Sequence, residues 1–139
     1  MLSNTLNTNE LKNAAGAEVE FQSLQLKDRQ RVFSQITETP SLPHRLTINH
    51  QETGKGIKLR RRSLVRIDKT VMSGVDVTLP VTVSAYIVMD IPVGAMTTIT
   101  EATNALAELV SFVATTGAGT TVLFDGTGNG AQALLLGGL

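Results

Sequence analysis

Between Val75 and Ile91 every odd position is apolar (Val75, Val77, Leu79, Val81, Val83, Ala85, Ile87, Met89, Ile91), while the even positions carry Asp76, Thr78, Pro80, Thr82, Ser84, Tyr86, Val88 and Asp90. A period of two sustained over this length means extended chain with one buried face. Pro80 has no amide proton to give a ladder, so the pattern predicts a strand from about Val81 to Asp90 and a loop or sheet edge before it. Two earlier runs alternate in the same way. Leu42, His44, Leu46, Ile48 and His50 fall on one side of the first, with Arg45, Thr47, Asn49 and Gln51 on the other. A Gly54-Lys55-Gly56 turn leads into the second, which has Ile57, Leu59, Val65 and Ile67 on its odd side and Lys58, Arg60, Arg62 and Arg66 on its even side. This is the pattern of a hairpin with a basic face. Arg61 and Ser63 interrupt the odd side, which predicts a bulge, a frayed start or a strand that outruns its neighbours.

Nearer the start, Ala17, Val19 and Phe21 alternate with Glu18, Glu20 and Gln22, and a second short run spans about Arg31 to Ile36 beyond the polar Lys27-Asp28-Arg29. These predict a small N-terminal hairpin. Thr39-Pro40-Ser41-Leu42-Pro43 enforces extended or turn geometry and is expected to separate it from the main sheet. After Pro92-Val93-Gly94 the period changes to about 3.6, with Ala102, Leu106, Leu109, Val110 and Val113 forming one stripe of a helix that runs to about Thr115. Thr98 followed by Glu101 reads as a capping box and Gly117 as a stop. Ala131 to Leu136 predicts one or two further helical turns.

At 139 residues, 42% apolar and 17% charged, the chain is expected to form a single domain. The N-terminal segment and hairpin fill residues 1–36, the main antiparallel sheet 42–91 and a helical region 98–139. Four Phe, one Tyr and no Trp make the core aliphatic, and the absence of Cys excludes disulfides and thiolate metal sites. No run reaches the ~18 to 20 apolar residues of a membrane-spanning helix, and the first thirty positions lack an apolar signal-peptide run. Net charge is zero, yet eight of the twelve Lys and Arg lie between Arg45 and Lys69 against only Glu52 and Asp68. Charge so segregated points to a polyanion partner, where a solvated strand face would be the ordinary reading.

Other chemistry is weighed and set aside. Gly126-Thr127-Gly128-Asn129-Gly130 follows Val122-Leu123-Phe124, but nine residues cannot supply the helix and second strand of a dinucleotide fold, and no Gly-Lys-Ser/Thr ending is present, so a turn is expected. His44 and His50 stand about 20 Å apart on one strand at ~3.3 Å per residue, too far to share a metal. No serine lies in a nucleophile elbow and no carboxylate pair is singled out, so neither an enzyme nor a cofactor site has positive support. Tyr86 projects from the polar side of its strand, where cross-strand packing is the bland role. On a sheet that also presents Arg45, Thr47, Asn49 and Arg66, it is a platform for stacking an unpaired base.

Two hairpins, a sheet with one apolar and one basic face, then a helical region is an order that resembles the coat proteins of single-stranded RNA bacteriophages. The stretches that carry the likeness are His44-Arg45-Leu46-Thr47-Ile48-Asn49, Leu79-Pro80-Val81, and Tyr86-Ile87-Val88-Met89-Asp90 running into Ile91-Pro92. The resemblance implies an α+β fold with an N-terminal hairpin, a five-stranded antiparallel sheet and C-terminal helices packing across a dimer. It implies a homodimer joined edge to edge, an icosahedral shell around genomic RNA, translational repression through an RNA hairpin, assembly in the bacterial host cytoplasm and residence in the virion. Arg45, Thr47 and Asn49 match hairpin-contacting positions and Tyr86 a base-stacking tyrosine, while Val88 stands where a polar base contact is expected. Lys58, Arg60, Arg62 and Arg66 would attract phosphate whatever the sequence bound. The loop from about Met72 to Pro80 corresponds to the segment that gathers around capsid symmetry axes.

The pattern agrees with the obligate dimer that the resemblance implies, because one amphipathic helix of about eighteen residues covers only part of a five-stranded apolar face. The alternatives are a dimeric regulator that binds RNA or DNA on the same sheet without assembling, and a small-molecule or catalytic α+β domain that uses the Gly-rich end.

Overall fold

The computed structural model describes residues 2–117 and 121–138. The chain divides into two compact units, one formed by Met1–Leu11 with Val19–Met96 and the other by Lys12–Glu18 with Thr97–Leu139.

The first unit is one antiparallel sheet whose strands run in chain order: β1 (Thr5–Leu6), β2 (Phe21–Lys27), β3 (Gln30–Gln35), β4 (His44–Thr53), β5 (Arg60–Met72) and β6 (Pro80–Ile91). The sheet has six strands where five were expected, the addition being the two-residue β1, and β2–β3 is continuous with β4. The proline-bearing segment after β3 is therefore a connection inside one sheet and not a divider. Asp28, with φ of 50°, occupies the tight β2–β3 turn in the left-handed conformation that Asp tolerates better than most residues. The register shift between the described strands lies in β2, between Ser23 and Gln25. Of the three readings of the Arg61–Ser63 interruption, a bulge is absent, since β5 pairs without a break with both neighbours, and β5 is instead longer than β4 and β6, so Arg61 and Ser63 project onto the apolar side. There they find polar partners, Arg61 Nε donating to Glu52 at 2.9 Å and Ser63 Oγ meeting His50 Nδ1 at 2.8 Å. Lys58 is not in β5 either. It ends a single turn of 3-10 helix, Gly56–Lys58, that makes the β4–β5 connection.

Leu6, Phe21, Phe33 and Leu46 form the buried cluster, with Leu11, Val19, Ile48 and Ile67 packed against it. Phe21 and Phe33 are almost wholly buried, and the His44 ring meets Phe21 edge-on at 5.0 Å. Toward β6 the same face becomes open: Val65, Val71, Val81, Val83 and Ile87 are all exposed, Val83 at 65%.

In the second unit, α1 (Thr100–Ala114) and α2 (Asn129–Leu136) are in contact. The capping box is not made, since α1 begins after Ile99 with no side-chain cap, and Thr103 Oγ1 donates instead to the Ile99 carbonyl at 3.0 Å. The Gly-rich stretch is a packing device. A Cβ on Gly130 would collide with the Phe112 carbonyl, and one on Gly128 would lie 2.7 Å from the Thr115 carbonyl, so glycine lets the start of α2 approach the end of α1. No described helix is long and apolar enough to cross a membrane.

Candidate nucleic-acid interface

Because paired residues in a ladder share a face, the registers of β4, β5 and β6 place the polar side chains in rows across the sheet. Arg45, Asp68 and Ser84 form one row, with Thr47, Arg66 and Tyr86 next to it. Asn49, Leu64 and Val88 form the third, Gln51, Arg62 and Asp90 the fourth, and Thr53 with Arg60 the last. Rows repeat about every 6.6 to 7 Å along the strands, and neighbouring strands lie about 4.8 Å apart. Seven of the eight residues singled out from the sequence, Arg45, Thr47, Asn49, Arg60, Arg62, Arg66 and Tyr86, thus occupy one face. Lys58 stands outside it on the β4–β5 turn. The Arg60-Arg61-Arg62 run is split by the pleat, and Arg61 faces the other way.

Two features emerge once the strands are paired. The first is an apolar strip on the polar face, where half-buried Leu64 and Val88 sit side by side next to Asn49, and Val32 of β3 stands beside Thr47. The strip separates the Tyr86–Arg66 row from the Arg62 row. Tyr86 is 65% exposed, so its ring is available to a ligand.

The second is that three of the four guanidiniums on this face are already partnered. Arg45 reaches Glu38 at 2.9 Å, Arg60 reaches Asp90 at 3.0 Å, and Arg66 reaches Asp68 at 2.8 Å. Asp68 also accepts from the Ser84 hydroxyl, which in turn accepts from Arg66 Nη2 at 3.3 Å. The hydrogen bond from Arg66, reinforced by that from Ser84, holds the Asp68 carboxyl below its ordinary range. At Glu38, burial works upward, but the Arg45 guanidinium and the His44 amide outweigh it and the net shift is downward. On the opposite face, Arg29 and Arg61 share Glu52. Of the four guanidiniums on the polar face, Arg62 alone makes no ion pair among the described residues. No cluster of metal-ligating side chains occurs among them either.

The site is therefore an open, half-apolar platform with one aromatic ring, two short polar groups and cations held at fixed positions. Such a surface stacks planar groups and offers donors to their edges.

No family model matches the sequence, and no curated protein does. Solved structures do match. The chain superposes on the bacteriophage EMS014 coat protein with a TM-score of 0.68 at 16% identity, covering 88% of this chain and 89% of that one. The bacteriophage GA capsid protein gives 0.54 at 19% identity, over 87% and 85%. The virus-like particle of bacteriophage AVE015 gives 0.50 at 16% identity, and there the match spans 64% of either chain. In strand order, antiparallel pairing and its two C-terminal helices, this chain has the α+β fold of RNA bacteriophage coat proteins.

Proposed function

We propose that this chain is a capsid subunit that dimerises through its sheet, assembles into a closed shell and holds single-stranded RNA against the polar face of β4–β6. The observation that carries the proposal is the division of that sheet. Tyr86, Thr47, Asn49 and the guanidiniums share one side, while Val65, Val71, Val81, Val83 and Ile87 stand exposed on the other. Exposed aliphatics in such a row are costly in water at roughly 25 cal/mol per Å², and a partner that covers them removes that cost.

Strand β6 lies at the end of the sheet, so antiparallel pairing with a second copy of itself continues the ladder and doubles both faces. Helices of one protomer would then cover the open aliphatics of the other. On the polar side, the joined sheet presents two Tyr86 platforms, where an unpaired base stacks while Thr47 and Asn49 bond its edge. An RNA hairpin bound there would repress translation of the message that carries it. The assembled subunit would reside in the virion, formed in the host cytoplasm.

The test is to express the chain in bacteria and fractionate the lysate. Uniform particles by electron microscopy, carrying nuclease-protected RNA, are expected. Dimers that bind RNA but never assemble would select the regulator reading instead, and monomers without RNA would overturn both.

A further inference from the structure

The polar face carries four guanidiniums, Arg45, Arg60, Arg62 and Arg66, and three carboxylates reach them: Glu38, Asp90 and Asp68. We infer that Glu38, Asp68 and Asp90 are specificity-determining residues, which restrain the phosphate attraction of this face so that RNA is held by its unpaired bases. The inference rests on the RNA-binding reading proposed above and concerns what the surface selects.

Phosphate attraction and base recognition compete on such a face. Phosphate attraction is blind to sequence and structure, and each cation that neutralises a phosphate steepens the salt dependence of binding by about 0.7 to 0.9 units of log-log slope. Four free guanidiniums would let this attraction prevail and would make the face adhere to any RNA, duplexes included. Ion pairing removes three of them from that role, since a phosphate must displace a carboxylate that is already bonded. At Arg66 the restraint is also geometric. Asp68 takes both Nε, at 2.9 Å, and Nη2, at 2.8 Å, and Ser84 braces the pair from the next strand. The guanidinium is held beside its cross-strand neighbour Tyr86, with its remaining donors directed by the carboxylate. What remains for a ligand is the Tyr86 ring, Thr47, Asn49, the Leu64–Val88 strip and the guanidinium of Arg62, the one on this face without an ion pair among the described residues. Those groups reward an exposed base and offer little to a duplex.

Two measurements on the full chain test this, with oligoadenylate as the single-stranded probe and an RNA duplex of equal length as competitor. First, affinity is followed between about 50 and 200 mM salt. Arg62→Ala should flatten the slope by about 0.7 to 0.9 units, whereas Arg60→Ala should leave it almost unchanged, because Arg60 is occupied by Asp90. Second, Asp90→Asn should steepen the slope by about the same amount. Combining Glu38→Gln, Asp68→Asn and Asp90→Asn should steepen it by about three times as much as Asp90→Asn alone and erase the preference for oligoadenylate over duplex.

Equal slope changes for Arg60→Ala and Arg62→Ala would mean the ion pairs open on binding, and would overturn the inference while leaving RNA binding intact. A triple variant that keeps its slope and its preference would do the same. If neither parent nor variants bind either RNA, the RNA-binding reading fails and this inference falls with it. The alanine pair needs no carboxylate change, so the result does not depend on the triple variant folding.

Discussion

Replacing Arg31 by alanine should release the first strand from the sheet. Its guanidinium donates to the Leu2 carbonyl at 2.8 Å, to the Asn4 side-chain oxygen, and to Ser23 Oγ at 3.2 Å, while lying 4.9 Å above the Phe33 ring. Two residue pairs, the buried Leu6 and a backbone hydrogen bond from Ser23 to Asn4 also tie this segment to β2. Hydrogen bonds to a charged group contribute roughly 1.5 to 3 kcal/mol when sheltered, and two of these three are exposed, so the lower end applies. An exposed cation–π contact adds about 0.5 to 1 kcal/mol. Non-additivity within one side chain brings the local loss to about 2 kcal/mol, or roughly thirtyfold at ~1.4 kcal/mol per decade. The reporter is the Ser23 amide, which donates to the Asn4 carbonyl at 2.8 Å. Its hydrogen exchange should accelerate by about that factor, with the amides of β3 to β6 unaffected. Arg31→Lys should recover little, because an ammonium cannot reproduce the fork that spans three acceptors. Unchanged protection at Ser23 in Arg31→Ala would refute the reasoning. The consequence for assembly is at the sheet edge: once β1 leaves, the edge of β2 becomes a second open template beside β6, and irregular oligomers should accompany the local opening.

Phe33 lies at 0% exposure, so Phe33→Ala should cost about 3 to 5 kcal/mol in urea unfolding at fixed protein concentration, and a loss below about 1 kcal/mol would show that the cluster is not the core. Burial, aided by nearby Lys69 and opposed by Glu38, lowers the pKa of His44 from its ordinary 6.5. The unfolded chain therefore takes up this proton first, and stability should be full above pH 6.5 and fall as pH drops below it. His44→Phe should flatten that part of the profile and leave the steeper loss at lower pH, where Glu38 and Asp68 protonate. Gly130→Ala should lower the thermal midpoint, because the new methyl meets the Phe112 backbone, whereas Gly74→Ala, with nothing within 4 Å, should not.

The fold was legible where period and position agree. Alternation through Val81 to Asp90 located β6 almost to the residue, and Pro80 marked its start at the sheet's end, where a missing amide proton is tolerated. The 3.6 stripe located α1, although its N-terminal signature proved incidental. Short elements carried too little pattern. Strand β1 has two residues, and the segment that leads into it is bonded by Arg31, far along the chain. The β2–β3 hairpin was detected, but its union with β4 depends on pairing partners that local periodicity does not name.

The candidate site is legible in sequence as a set of side chains on one face, but the ion pairs that hold its guanidiniums are not. Alternation assigns Arg45, Arg66 and Tyr86 to one face, because each stands at a polar position of a run whose alternate positions are mostly aliphatic. Counting charge within the window from Arg45 to Lys69 left a large positive excess, since two of the carboxylates that answer it lie outside that window. Glu38 precedes β4 and turns back onto Arg45, and Asp90 arrives with β6, across the sheet from Arg60. Asp68 lies inside the window, and alternation alone puts it on the face of Arg66, two residues away on the same strand; what the register adds is Ser84, which braces the pair from β6. Charge is a property of a surface, and in an antiparallel sheet the nearest surface neighbours come from other strands. A face with four guanidiniums in sequence thus becomes, in three dimensions, a face on which Arg62 is the one guanidinium without an ion pair among the described residues, standing on the same side of the sheet as Tyr86.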